Sequence, residues 1–265
     1  SVAIHNLTMC FEKEKSPAEI QAIARENFRR IGENFVSAVK TASMSLDELR
    51  PHLEFCGFPD EAQAPKASES FIGAIGHFGN FELYARLGHC FPAHKFATTY
   101  RGLRQPSLNA LMQALREQSG CRFFERRFDA APLRAFMNEG GVALGLLADQ
   151  HAGRHGLRLP FLGQECSTSA APAVFALRYH CRLITGFCFR VGLARWRVEV
   201  GREIPTHENG RPRETSDIML DVNRSFETAV RQDPANWFWV HNRWKSERSR
   251  NRPSLTLSET PPPRR

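Results

Sequence analysis

Between residues 70 and 150 the chain alternates short apolar runs with amphipathic segments, and this alternation restricts the fold more than any other feature. The runs 70–76 (Ser-Phe-Ile-Gly-Ala-Ile-Gly), 95–100 (Lys-Phe-Ala-Thr-Thr-Tyr) and 142–148 (Val-Ala-Leu-Gly-Leu-Leu-Ala) have the length and apolar content of buried strands, with a shorter candidate at 121–124. The stretches 106–118 and 132–138 carry helical spacing, and Gly140 and Gly141 stop the second. Strands separated by crossover helices predict an α/β fold, a single domain whose largely parallel central sheet is flanked by helices. Each of the three longer runs ends at a polar residue: His77, Arg101, and Asp149 followed by Gln150. Open sheets of this kind bind ligands beyond the carboxyl ends of their strands, so these positions are expected to share one functional edge.

The richest of these ends is His-Phe-Gly-Asn-Phe-Glu, from His77 to Glu82. Histidine is the commonest general base because much of it is neutral at physiological pH. Asn80 is a good N-cap for a following helix, which places Glu82 in the first turn, where the helix dipole favours a carboxylate. If the turn folds back, Glu82 accepts from one ring nitrogen of His77, fixes the tautomer and stabilises the imidazolium formed at the other nitrogen. The same residues also read as a capped helix behind a strand-end histidine, and spacing alone leaves both readings open.

With 265 residues, 42% hydrophobic and 24% charged, the chain can bury a sizeable globular core. The most apolar run, 141–148, is far shorter than the roughly 18 residues needed to span a bilayer, and no signal peptide is apparent at the start. Without an initiator Met, the chain is read as beginning inside a longer sequence. Seven scattered cysteines with no C-x-x-C pair argue for reduced thiols rather than a disulfide framework or zinc finger. A net charge of +8 and a pI near 9.4 favour anionic partners, without choosing among nucleic acid, phosphorylated molecules, an acidic carrier protein or an anionic membrane.

Elsewhere, Ser16-Pro17-Ala18-Glu19 is a capping box, and Ile20, Ile23, Ala24, Phe28, Ile31, Phe35 and Val39 follow at helical spacing, which predicts an amphipathic helix. A Pro/Ala/Glu/Gln/Lys-rich loop is expected at 59–68. The Gly-rich basic loop 151–156 offers Arg154 as an anion contact but lacks Walker spacing. A helix near 172–177, two paired strands at 183–191 and 196–200, and a helix opened by Thr215 or Ser216 come next. The segment 236–245 is dense in aromatics and ends in cations, with His241, Arg243 and Lys245 as candidate anion contacts. The domain is drawn over 1–245 with a helical part at 1–58, followed by a disordered basic tail at 246–265.

Taken together, several ordered stretches resemble the lipid A late acyltransferases, within the lysophospholipid acyltransferase superfamily. They are the His77–Glu82 box, Tyr100-Arg101 with Pro106 and Asn109, Asp149-Gln150, Pro160-Phe-Leu-Gly163 with Thr168, and Trp239-Val-His-Asn-Arg-Trp-Lys245. The resemblance implies a glycerol-phosphate acyltransferase-like fold. It also implies transfer of a fatty acyl chain from acyl carrier protein or acyl-CoA to a hydroxyl of a glycolipid or lysolipid acceptor, without a cofactor or metal. The implied place of work is the cytoplasmic face of the inner membrane. The family's usual N-terminal membrane segment is not in this sequence, which is read either as truncation or as a purely peripheral association. Mapped onto this chain, His77 is the base and Glu82 the orienting carboxylate. Arg101 stabilises the oxyanion or grips an acceptor phosphate, while Asp149 positions Arg101 or a substrate group, or forms a structural ion pair; Gln150 and Asn80 complete the substrate-side set. Two rivals are kept. One is a metal-dependent hydrolase built on Asp149, His151 and His155. The other is a non-catalytic basic protein that binds anionic lipid or nucleic acid; the acyltransferase reading expects no nucleic-acid partner.

Overall fold

The computed structural model describes residues 1–58, 65–102, 105–117 and 119–245. Most of the expected 59–68 loop and the whole tail from 246 lie outside the described residues. Two helices open the chain, α1 (Val2–Phe11) and α2 (Pro17–Ala42). The Ser16–Glu19 capping box forms as expected, with Pro17 in the first turn. A short helix α3 (Leu46–Leu49) leads to β1 (Leu53–Cys56).

The alternating region then folds in chain order into β2 (Phe71–Ile75), α4 (Leu83–Cys90), β3 (Lys95–Tyr100), α5 (Pro106–Glu117), β4 (Cys121–Glu125), α6 (Ala130–Asn138) and β5 (Val142–Leu147). The antiparallel ribbon β6 (Leu157–Phe161) and β7 (Gln164–Thr168) follows, then α7 (Ala171–Arg178). The long strands β8 (Arg182–Gly192) and β9 (Arg195–Ile204) pair antiparallel, as the sequence indicates. A small hairpin, β10 (His207–Glu208) with β11 (Arg211–Pro212), precedes α8 (Thr215–Gln232).

The seven-stranded sheet runs β1-β9-β8-β2-β5-β3-β4. Strands β8, β2, β5, β3 and β4 are mutually parallel, and β9 with β1 forms the reversed edge. The expected α/β architecture with a largely parallel sheet is what the chain adopts. After β2 the chain crosses to β3 on one side of β5, and after β5 it crosses to β8 on the other side of β2. The connections from these adjacent strands thus run in opposite directions, which makes the carboxyl ends of β2 and β5 the switch point of the sheet.

Alternation along the strands gives the sheet two unlike faces. Ile72, Ala74, Leu144, Leu146 and Leu183 point into a core shared with Phe78, Phe187, Ile218, Val222 and Phe226. The opposite face carries Phe71, Gly73, Ile75, Ala143, Gly145 and Ile184, and it floors a large cleft. Across the back of the site runs the segment after α8, held by side-chain amides. Asn27 Nδ2 donates to the carbonyls of Ala235 (2.9 Å) and Trp237 (2.6 Å), and Asn6 Nδ2 donates to those of Trp239 and His241. Asn27 therefore marks the buried side of α2, together with Ile20 and Ala24, while Phe28, Phe35 and Val39 turn to solvent.

Candidate active site

Strand β2 ends at Ile75, and two glycines let the chain turn sharply after it. A Cβ on Gly76 would lie 2.7 Å from the Phe78 ring and 3.2 Å from the Asp149 carboxyl carbon. Gly79 has a φ of +49°, and its N–H donates to the Asn236 carbonyl at 3.0 Å. Between them, His77 projects into the cleft at the switch point. The neighbouring strand continues its ladder one residue further, with Ala148 N–H donating to Ile75 O at 3.0 Å, and this brings Asp149 beside the turn.

The Asp149 carboxylate accepts three hydrogen bonds. His77 Nδ1 lies 2.8 Å from Oδ1, the His77 backbone N–H donates to Oδ2 at 2.7 Å, and Trp237 Nε1–H donates to Oδ2 at 2.8 Å. The His77 side chain is 13% exposed and that of Asp149 1%. Burial by itself would raise the Asp149 carboxyl, but the charge and hydrogen bonds of His77 outweigh it and hold it at about 2. An ionised Asp149 fixes the proton of neutral His77 on Nδ1 and leaves Nε2 as the lone-pair nitrogen. On that side Gln150 Nε2 approaches Nε2 at 3.4 Å, and the ring packs against Phe81 (4.6 Å between centroids) and Phe238 (5.9 Å).

This geometry corrects the expected His77–Glu82 pairing. Glu82 is the N-cap residue of α4, already helical, and its carboxylate accepts from Arg116 of α5 at 3.1 Å. The turn from Gly79 to Glu82 carries it toward α5 instead of folding it back. Asn80 is correspondingly not a side-chain cap: its carbonyl accepts from Leu83 N–H, while Nδ2 points to Thr41 Oγ1 at 3.4 Å in a buried position. Asp149 likewise holds His77 and Trp237 rather than Arg101.

The cleft above this dyad has a volume of about 1790 Å³, and its rim includes Glu82, Arg101, Gln150, Arg154, His241 and Lys245. Arg101 lies at the end of β3, where it was expected. Arg243 does not reach the cleft, which corrects its reading as an anion contact. Its guanidinium is fully buried, 4.1 Å from the centre of the Phe161 ring, and donates to Asn223 Oδ1 at 2.9 Å. His151 and His155 lie in a non-helical turn, so they do not share the helical face that the metal-site rival requires.

A family model for bacterial lipid A biosynthesis acyltransferase matches residues 1–246. The chain belongs to this family. It is similar to the lipid A biosynthesis palmitoleoyltransferase of Escherichia coli (strain K12), 23% identical over 252 residues that cover 93% of this chain and 78% of that protein. The lipid A biosynthesis acyltransferase of Shigella flexneri matches with the same identity and coverage. The chain is thus an acyltransferase, and its family matches the resemblance drawn from the ordered motifs.

In this lipid A acyltransferase family member, two site features carry no local sequence signal. Trp237 reaches Asp149 across 88 positions, and Arg116 meets Glu82 only once α4 and α5 are packed. Trp237→Phe keeps the ring but removes one donor to a buried carboxylate. It should cost about 2 kcal/mol of stability in urea unfolding. His241 supplies a pH signature. Burial, aided by nearby cations, lowers its ring to about 4 against the ordinary 6.5, and its Nε2 accepts from the His151 N–H at 3.2 Å. The unfolded chain then binds the proton first as pH falls, so the His241 contribution to stability should be lost between about 6.5 and about 4, and the low-held Asp149 carboxyl continues the loss below. Urea midpoints measured across that range should show the slope, and His241→Asn should flatten it.

Proposed function

We propose that this enzyme moves a fatty acyl chain from an acyl thioester, on a carrier protein or coenzyme A, to a hydroxyl of a lipid A precursor or a related glycolipid. In this reading His77 Nε2 takes the hydroxyl proton as the oxygen attacks the thioester carbonyl carbon. The tetrahedral oxyanion collapses, the carbon–sulfur bond breaks, and the imidazolium returns the proton to the departing thiolate. Asp149 stabilises the imidazolium through Nδ1–H, and no covalent enzyme intermediate is needed. Arg101, on the rim, is assigned to the oxyanion or to an anionic group of the acceptor, as a guanidinium suits both. Arg154 and Lys245, which also line the cleft, supply further positive charge. Glu82 is assigned to holding Arg116 in the wall of the cleft.

The observation that carries this reading is the buried Asp149–His77 pair, which opens Nε2 toward a cleft with an apolar floor. From Phe71 to His77 that floor extends about 20 Å at strand rise, room for a long hydrocarbon chain lying along the sheet. The reading also places the enzyme at the cytoplasmic face of the inner membrane, where a carrier-protein thioester and a lipid acceptor meet. Among the described residues no helix is long and apolar enough to cross a membrane. The test is acyl transfer from radiolabelled acyl carrier protein, or from acyl-CoA, to total lipid extract. Label is expected in a glycolipid fraction, and native protein that labels no lipid from either donor would refute the assignment.

A further inference from the structure

The spacing that builds α2 also gathers Phe28, Phe35, Val36 and Val39 on one side of the helix, and the fold leaves that side uncovered. Phe28 is 49% exposed, Phe35 59%, Val36 73% and Val39 56%. At 1.5 Å per residue they form one stripe about 16 Å long. A single exposed apolar side chain is ordinary, but a contiguous stripe containing two phenyl rings marks an interaction surface. Arg25, Arg29 and Lys40 are exposed along one flank. Arg29 is engaged by Glu26 and Glu33.

The stripe is continuous with the site. Phe35 and Val39 line a second, smaller cavity of about 130 Å³ whose walls also include His77, Glu82 and Phe238. An apolar stripe flanked by cations, on a chain of net charge +8, fits an anionic bilayer. A second copy fits less well, because two-fold packing of the helices in antiparallel would set Arg25 against Lys40.

We propose that this face of α2 docks on the surface of an anionic phospholipid bilayer, the rings at the boundary between headgroups and acyl chains and Arg25 and Lys40 over lipid phosphates. The cavity mouth at Phe35 and Val39 then opens toward the lipid phase. That orientation rests on the acyl-transfer reading above, whereas the docking itself is measured without turnover.

The test is flotation of the full chain with phosphatidylglycerol–phosphatidylcholine vesicles and with phosphatidylcholine vesicles, comparing native protein with Phe28→Gln/Val36→Gln. Neither substituted residue lines either cavity, both are exposed, and glutamine is a good helix former. Native protein should float with the anionic vesicles, and the double variant should partition about tenfold or more weakly. Arg25→Gln/Lys40→Gln should bind several-fold less at low salt and differ little at high salt. Acyl transfer between detergent-dispersed substrates should be the same in native protein and Phe28→Gln/Val36→Gln. Equal vesicle binding by native protein and Phe28→Gln/Val36→Gln overturns the docking proposal whatever the turnover. So does native protein that ignores vesicles but sediments as a dimer which the variant loses, since that assigns the face to a second copy. Vesicle binding without any transfer activity refutes the acyl-transfer reading and leaves the docking in place.

Discussion

Replacing His77 with alanine is expected to lower acyl transfer by roughly a thousandfold, because it removes the cleft nitrogen whose lone pair is fixed by the buried Asp149 carboxylate. Alanine also removes the Nδ1 hydrogen bond to buried Asp149, so some stability is lost with the activity. His77→Gln separates the two effects. Its amide can still donate toward Asp149, yet it cannot carry a proton between the acceptor hydroxyl and the thiolate. Initial rates with a radiolabelled thioester should fall equally for both variants, while urea unfolding should favour His77→Gln. A rate for His77→Gln within tenfold of native would show that the proton moves elsewhere.

Asp149→Asn is the second large effect, with an expected rate loss of roughly 10²- to 10⁴-fold. The native carboxylate accepts from His77 Nδ1, His77 N–H and Trp237 Nε1–H together. An amide has one acceptor oxygen, and its NH₂ group must face one of these donors. Turned toward His77, it selects the tautomer protonated on Nε2, which has no lone pair at the cleft. Turned toward Trp237, it leaves a buried indole N–H opposed to another donor, at a cost of about 1–3 kcal/mol. Rate loss and a lowered urea midpoint should therefore appear together in this variant. Glu82→Gln should behave differently, because the glutamine carbonyl still accepts from Arg116, and a rate change below about tenfold is expected.

The strands β2 and β5 and their polar ends were legible in the sequence because one face packs into the core and the other floors an apolar cleft, which keeps polar side chains out of 71–75 and 142–147. A polar side chain directly after such a run therefore announces the edge of the sheet, as His77 and Asp149 do. Which of these residues meet was not legible. The chain visits β2, β3, β4 and then β5, but β5 inserts between β2 and β3, so Asp149 becomes the neighbour of His77 although Glu82 is far closer in sequence. Local capping logic favoured Asn80 and Glu82, and the turn at Gly79 sent both elsewhere. Arg243 illustrates a different limit. An arginine among tryptophans at the chain's end reads as surface charge, yet Phe161, Asn223 and Thr168 enclose it, all contributed by distant elements. On α2, helical spacing established the helix, but what covers its apolar positions is decided by tertiary packing. Asn27 won the buried side because it satisfies two backbone carbonyls that would otherwise be stranded.

The central claim is that His77 acts as the base of acyl transfer with Asp149, not Glu82, as its orienting carboxylate. The most direct measurement is kcat/KM for acyl transfer by Asp149→Asn and Glu82→Gln, determined side by side with one donor and one acceptor. The account predicts that Asp149→Asn is slower than Glu82→Gln by at least about tenfold, with Glu82→Gln close to native. Glu82→Gln as the slower of the two, with Asp149→Asn near the native rate, would contradict it.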